Sequence, residues 1–117
     1  MSDMMENEEG VVLCGASAYD RKYYFNRQFA RLPEDIQKEL QSICVLYTQD
    51  IGGIFLMVFD EEGKLQLQTR AASSDYDYDE IGAALMVRQI QKYRQELLTQ
   101  LELFYRVDCL HMNLEDA

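Results

Sequence analysis

The chain has few of the residues from which metal and nucleophile sites are usually built. It contains a single histidine, His111, and three widely spaced cysteines, Cys14, Cys44 and Cys109. One histidine excludes zinc sites built from several histidines, and the cysteines lack the close pairs of a zinc-binding ribbon. An odd number of cysteines, two of them within apolar runs, favours free buried thiols in a reducing cytoplasm. The sequence therefore predicts no metal site and no cofactor.

Basic residues and long apolar runs are also scarce. The 21 acidic residues outnumber 11 basic ones, so the net charge is −10. Such a chain repels phosphate groups, and we expect it to bind neither nucleic acid nor a membrane surface. The narrower alternative is that its acidic surface mimics nucleic acid. No apolar run approaches the roughly 18 residues of a membrane span, and the acidic N-terminus is unlike a signal peptide. We expect a cytoplasmic protein.

Length and composition predict one small globular domain. The chain has 117 residues, of which 48% are apolar, enough for a core but not for two domains. Residues 1–9 carry four acids without periodicity, which predicts a disordered acidic tail. We expect a single α+β domain over residues 10–110 and a C-terminal tail over residues 111–117.

The strongest strand pattern lies at residues 54–69. An apolar run meets an acidic turn at residues 60–63 and returns as alternating apolar and polar residues, which predicts a β-hairpin. A four-residue turn would pair Phe59 with Lys64 and place Leu56, Val58 and Leu65 on the core face.

The other face of this predicted hairpin carries three large apolar residues, Phe55, Met57 and Phe59. A solvated face should not hold three such residues, so something is expected to cover them. The alternatives are the chain's own core, a second copy of the chain and a ligand. We take these residues as candidate partner-binding residues.

Two helical patterns flank the hairpin in sequence. Pro33 opens a helix of about 16 residues that ends before Gly52. The second pattern runs from Asp79 to about Arg106, and 28 residues would span about 42 Å. Such a helix would overhang a small domain and pack on a partner, with Leu98 and Tyr105 as further candidate contacts. The alternative is a helix broken near Arg94 and absorbed by its own core.

Short β-rich runs at residues 11–14 and 23–25 complete the order ββαββα. This order favours an antiparallel sheet of about four strands with two helices, the last one long. Residues 105–110 could alternatively form an edge strand.

Three tyrosines in the N-terminal part, Tyr19, Tyr23 and Tyr24, are candidate ligand-binding residues. Tyrosine rings with polar tips suit contacts with partners and ligands, although the edge of the core is the simpler interpretation.

Acids recur in the segment 75–80, which suggests oxygen ligands for a cation. The favoured interpretation is structural: Asp79 caps the N-terminus of the second helix. Cys14 could serve as a nucleophile only if His111 folded back beside it. We identify no catalytic residue.

Several stretches together resemble a family of small uncharacterised proteins of clostridia-type bacteria, a domain of unknown function. They are residues 13–19, 22–26, 46–54, 78–82 and 101–107. The resemblance covers residues 11–110 and implies a bacterial cytoplasmic origin. It implies no activity and no functional residue.

The sequence thus favours a non-enzymatic cytoplasmic interaction or regulatory module. We expect it to form a homodimer and to bind a protein partner that the sequence does not identify. The alternative is a domain that binds a small molecule or a metal ion.

Overall fold

The computed structural model describes residues 10–110 and has a four-stranded antiparallel sheet with three helices. The α+β class and the antiparallel sheet are confirmed, but there are three helices rather than two. The elements, in chain order, are β1 (Val11–Ser17), β2 (Lys22–Phe25), α1 (Glu34–Asp50), β3 (Ile54–Phe59), β4 (Leu65–Arg70), α2 (Glu80–Tyr93) and α3 (Gln95–Asp108). The strands lie in the order β2-β1-β3-β4.

Helix α1 follows its sequence signals closely. Pro33 precedes it, and two acids occupy its first turn, where they favour the positive end of the helix dipole. Its apolar stripe is buried at Leu40, Ile43, Cys44 and Tyr47. The chain then turns through Gly52 and Gly53, which both have positive φ angles and lead directly into β3.

The register of the β3–β4 hairpin differs from the predicted one by one residue. Phe59 pairs with Leu65 rather than with Lys64, because the loop contains five residues instead of four. The carboxylate of Asp60 accepts hydrogen bonds from the backbone N–H groups of Glu62 and Lys64, each 2.9 Å long, and so stabilises the longer loop. A shift of one residue exchanges the two faces of a hairpin.

The main core therefore lies on the face that carries Phe55, Met57 and Phe59, all of them fully buried. The ring of Phe59 stacks on Tyr105 of α3 with centroids 4.1 Å apart, and Phe55 stacks on Tyr47 of α1 at 4.6 Å. The expectation that the opposite face holds the main core was wrong. The chain's own helices cover the three residues.

A smaller apolar cluster lies on the second face of the sheet. Val12, Leu56 and Val58 are buried there, with Tyr24 and Ile54 partly buried around them. Every described member of this cluster belongs to a strand.

The predicted long helix is wrong, and the alternative of a break near Arg94 is confirmed. Arg94 leaves the helical conformation, with φ −115° and ψ 23°, and separates α2 from α3. Its guanidinium donates to Glu39 of α1 over 3.1 Å. The break lets α3 bury Leu98 and Tyr105 against the core instead of overhanging it. Because α3 continues to Asp108, the alternative of an edge strand was also wrong.

The predicted tails, residues 1–9 and 111–117, lie outside the described residues. Between residues 10 and 110, every helix is too short or too polar to cross a membrane.

Candidate functional site

Helix α2 has more apolar surface than the core uses. Ala83 is its only fully buried residue. Ile81 is 75% exposed and Leu85 is 55% exposed, although both are large apolar side chains. They lie four residues apart and so occupy the same side of the helix. Met86 and Ile90, by contrast, pack against the main core.

A shallow apolar groove of about 220 Å³ lies between α1 and α2. Leu46 and Tyr93 are exposed at this groove, by 54% and 73% of their surfaces. The other lining residues are Ile43, Tyr47, Asp50, Met86, Gln89, Ile90 and Arg94. We call the groove and the exposed side of α2 together the α2 surface.

Charge is distributed unevenly along α2. Asp77 and Glu80 are exposed at its N-terminal end, and Arg88 and Lys92 are exposed towards its C-terminal end. The Lys92 ammonium lies 5.5 Å from the centre of the Tyr93 ring. The α2 surface therefore has one acidic end and one basic end. A basic segment is unusual in a chain with net charge −10.

Three hydrogen bonds that involve side chains hold the loop before α2 in place. The Tyr19 hydroxyl donates to the carboxylate of Asp75 over 2.6 Å and accepts from the backbone N–H of Ala72 over 2.9 Å. The Asp79 carboxylate accepts from the backbone N–H of Gly82 over 2.8 Å, which confirms its predicted role as helix cap. Two of the acids in segment 75–80 therefore have structural partners.

The positions of the acidic side chains in segment 75–80 do not support a cation site. Over residues 10–110, no three side chains of histidine, cysteine, aspartate or glutamate come together as a metal-binding group. Asp75 and Asp79 instead accept hydrogen bonds from protein donors.

The structure does not bring the three N-terminal tyrosines together. Tyr19 lies in the β1–β2 turn and holds the loop before α2. Tyr23 packs against the main core and Tyr24 packs against the smaller cluster on the other face, because successive strand residues alternate. Tyr23 also lines a cleft of about 570 Å³ with Arg21 and Lys22, between the β1–β2 hairpin and α1. Ligand binding by these residues stays a prediction.

The predicted partner-binding residues lie inside the domain. Phe55, Met57 and Phe59 are fully buried under the helices, and Leu98 and Tyr105 are buried on α3. None of these side chains forms part of the α2 surface, and their contact with a partner stays a prediction.

The sequence pattern did not lead to a prediction of the α2 surface, although it contains an indication of it. The apolar stripe of the last helical pattern runs through Ala83, Val87 and Ile90. Ile81 and Leu85 lie outside this stripe, so counting apolar residues off the stripe would have identified them.

The cysteines fit structural roles better than catalytic ones. Cys14 and Cys44 are buried and Cys109 is exposed, and all three are free thiols. The hydrogen bond with Cys14, together with burial, raises the pKa of the Cys44 thiol. A raised pKa disfavours the thiolate that a nucleophile needs.

The sequence profile of a family of unknown function (DUF6145) matches residues 10–113. The match spans all of the sheet and helices described above. It confirms the resemblance to a family without an established activity. Comparison with curated proteins and with solved structures gave no match.

Proposed function

We propose that this chain, which belongs to the DUF6145 family of unknown function, is a non-enzymatic cytoplasmic contact module that forms a homodimer through the α2 surface. The observation that carries the proposal is the pair Ile81 and Leu85, which are exposed on the same side of α2. Ala83 is the only residue of this helix that is fully buried. Contiguous exposed apolar side chains with a polar surround mark contact sites.

The charge pattern favours a second copy of the chain as the occupant. In a two-fold dimer the same patch packs on itself, and two α2 helices would run antiparallel across the axis. The acidic end of each helix, with Asp77 and Glu80, would then face the basic end of the other, with Arg88 and Lys92. A parallel arrangement would instead place like charges together.

The size of the surface sets the expected affinity. Helix α2 has 14 residues and is about 21 Å long. A single helix pair of this length, with Leu46 and Tyr93 at its margin, would be a small contact of the kind that transient complexes use. We therefore expect a dimer that dissociates at micromolar concentrations, suited to regulation by a further protein partner.

A second candidate function is the binding of a small anionic molecule in the cleft beside Tyr23. The observation that favours it is the presence of Arg21 and Lys22 in the lining of this cleft, within a strongly acidic chain. Native mass spectrometry of protein taken from a bacterial lysate would show a small adduct that the Arg21→Glu/Lys22→Glu variant lacks. A bare chain in both samples would contradict this alternative.

Sedimentation velocity over a dilution series tests the dimer. We expect the wild-type chain to change from dimer to monomer on dilution, and Ile81→Glu/Leu85→Glu to stay monomeric at every concentration. Leu103→Glu is the matched control, because Leu103 is an exposed leucine on α3, 43% accessible, outside the α2 surface. A wild-type chain that is monomeric throughout, or a dimer that survives the double substitution, would contradict the proposal.

A further inference from the structure

Strand β2 lies at the edge of the sheet, and part of its backbone has no partner strand. In the order β2-β1-β3-β4 it pairs with β1 on one side only. The Asn26 N–H donates to the Leu13 carbonyl oxygen over 2.9 Å, which fixes the alternation of inward and outward groups along β2. The N–H and C=O groups of Tyr23 and Phe25 therefore point away from β1. Among residues 10–110, no group accepts a hydrogen bond from either N–H.

The cleft of about 570 Å³ lies beside the start of this edge strand, at Lys22 and Tyr23. Helix α1 forms the opposite wall, with Gln41, Val45, Thr48 and Gln49. An extended peptide can join an exposed sheet edge as a further strand: main-chain hydrogen bonds supply affinity, and pockets for alternate side chains supply specificity. An edge strand on one side and a helix on the other provide both.

The described lining of the cleft is neutral except at one end, where it is basic. It includes Arg21 and Lys22 but no acid, although 21 of the chain's 117 residues are acidic. Both cations are exposed, and neither forms an ion pair with another residue between 10 and 110. They lie at the end of the β1–β2 turn, where β2 begins. We therefore expect an anionic group at this end of the cleft.

Arg21 has an unusual backbone conformation. Its φ is +53°, and it is the one non-glycine residue between residues 10 and 110 with a positive φ. This left-handed conformation favours glycine, because a Cβ atom is crowded there. Strained backbone of this kind is concentrated at ligand-binding sites. An arginine at such a position, in the lining of the cleft, is explained by a role for its side chain in binding.

We propose that the cleft binds the C-terminal peptide of a partner protein as a strand added to β2, with its terminal carboxylate at Arg21 and Lys22. This inference rests on the second candidate function, the binding of an anion in the cleft, and it names the ligand class. A carboxylate at the Lys22 end makes the peptide run antiparallel to β2. Its carbonyl groups then accept from the N–H groups of Tyr23 and Phe25. A peptide terminus combines an anionic group with the backbone of a strand, whereas a free small anion offers only the first.

The walls of the cleft favour a small apolar residue at the end of the peptide. Ala16, Ala18 and Val45 are the apolar members of the lining. β-Branched residues have the highest preference for strands. A peptide that alternates threonine with valine and ends in valine is therefore a suitable probe.

Nuclear magnetic resonance titration of the ¹⁵N-labelled full chain with an acetylated pentapeptide of this composition, ending in a free carboxylate, tests the site. We expect the amide signals of Tyr23 and Phe25 to shift and their N–H groups to become protected from hydrogen exchange. The Tyr24 N–H faces Gly15 in the β1–β2 ladder and serves as the internal control, protected throughout. The same peptide with a C-terminal amide should bind about 10- to 100-fold more weakly, because it lacks charge-assisted hydrogen bonds.

Arg21→Gly separates binding from folding. Glycine suits the positive φ, so the melting temperature should not fall, but the carboxylate peptide should bind about 10-fold more weakly. The amide peptide should bind Arg21→Gly and the wild type equally. Arg27→Gln is the matched control, because Arg27 is an exposed arginine just after β2 that does not line the cleft. It should keep the wild-type affinity.

Acetate and inorganic phosphate, titrated in parallel, distinguish peptide binding from the binding of any anion. Shifts at Arg21 and Lys22 with these ions, without binding of the peptide, would overturn this inference and leave the second candidate function standing. Equal affinity for the carboxylate and amide peptides would also overturn it. So would a bound peptide that leaves the Tyr23 and Phe25 N–H groups unprotected.

Discussion

The hydroxyl groups of Tyr47 and Tyr78 lie 2.6 Å apart and join α1 to the loop before α2. The ring of Tyr47 stacks on Phe55 in the centre of the sheet, so the core fixes the position of its hydroxyl. Tyr19 holds the same loop through Asp75. These contacts determine where α2 begins, and therefore how the α2 surface is presented.

We expect Tyr78→Phe to lower the free energy of unfolding by about 1 kcal/mol, because it removes one partner of a partly buried hydrogen bond. The double variant Tyr47→Phe/Tyr78→Phe should be less destabilised than the sum of the two single changes, since both remove the same bond. Urea denaturation of the four proteins measures this coupling. Tyr76→Phe is the matched control, because Tyr76 is 91% exposed. Additive effects would contradict the contact.

Gly53 lies where β3 begins, in close contact with Tyr78. A Cβ atom at this position would approach the Arg70 carbonyl oxygen and the Tyr78 ring to 2.6 Å, and the φ angle of +69° already disfavours other residues. We expect Gly53→Ala to destabilise the fold by about 2–4 kcal/mol. Gly52→Ala is the control: its φ is +92°, but its Cβ would have open space, so only the backbone contribution remains. Equal losses in thermal or urea unfolding would show that the close approach of a Cβ atom to Arg70 and Tyr78 contributes nothing.

Stability should fall at alkaline pH. Burial raises the pKa of the Tyr47 phenol, and its hydrogen bond with Tyr78 raises it further. In the unfolded chain tyrosine ionises near its ordinary pKa of about 10. The folded state therefore binds more protons above that pH, and the free energy of unfolding declines as the pH rises. We expect a decline that begins near about pH 8.5, where unfolded thiols ionise, because the pKa of the buried Cys44 thiol is raised in the folded state. The decline should steepen above about pH 10, where unfolded tyrosines ionise.

The contribution of Tyr47 to this decline can be isolated. Urea midpoints across the same pH range should fall less steeply in Tyr47→Phe than in the wild type. Tyr76→Phe should keep the wild-type slope. Identical slopes in all three proteins would mean that Tyr47 ionises equally easily in the folded and unfolded states.

The sequence was sufficient to predict which segments form strands but not how two of them pair. The alternation after Gly63 predicted β4 correctly. The register depended on whether Lys64 belongs to the loop or to the strand, and the Asp60 carboxylate decides this by binding the Lys64 N–H. Hydrophobic periodicity cannot predict a side-chain hydrogen bond of this kind.

Local sequence rules offered a break near Arg94 as an alternative but could not decide between it and one long helix. Neither glycine nor proline lies near Arg94, and the helical spacing continues through it. The break is fixed by tertiary contacts, above all by α3 packing Leu98 and Tyr105 on the sheet. The longer helix also predicted partner contacts at Leu98 and Tyr105, which α3 buries against the core, whereas Ile81 and Leu85 of α2 are exposed.

A mixing experiment with two complementary charge variants tests pairing through α2 most directly. Arg88→Glu/Lys92→Glu makes both ends of α2 acidic, and Asp77→Lys/Glu80→Lys makes both ends basic. Each variant alone repels its own copy, but in a mixture both contacts across the two-fold axis are attractive. Native mass spectrometry separates the species by mass. We predict monomers for each variant alone and a one-to-one heterodimer on mixing. Monomers in the mixture, or homodimers of either variant, would contradict pairing through α2.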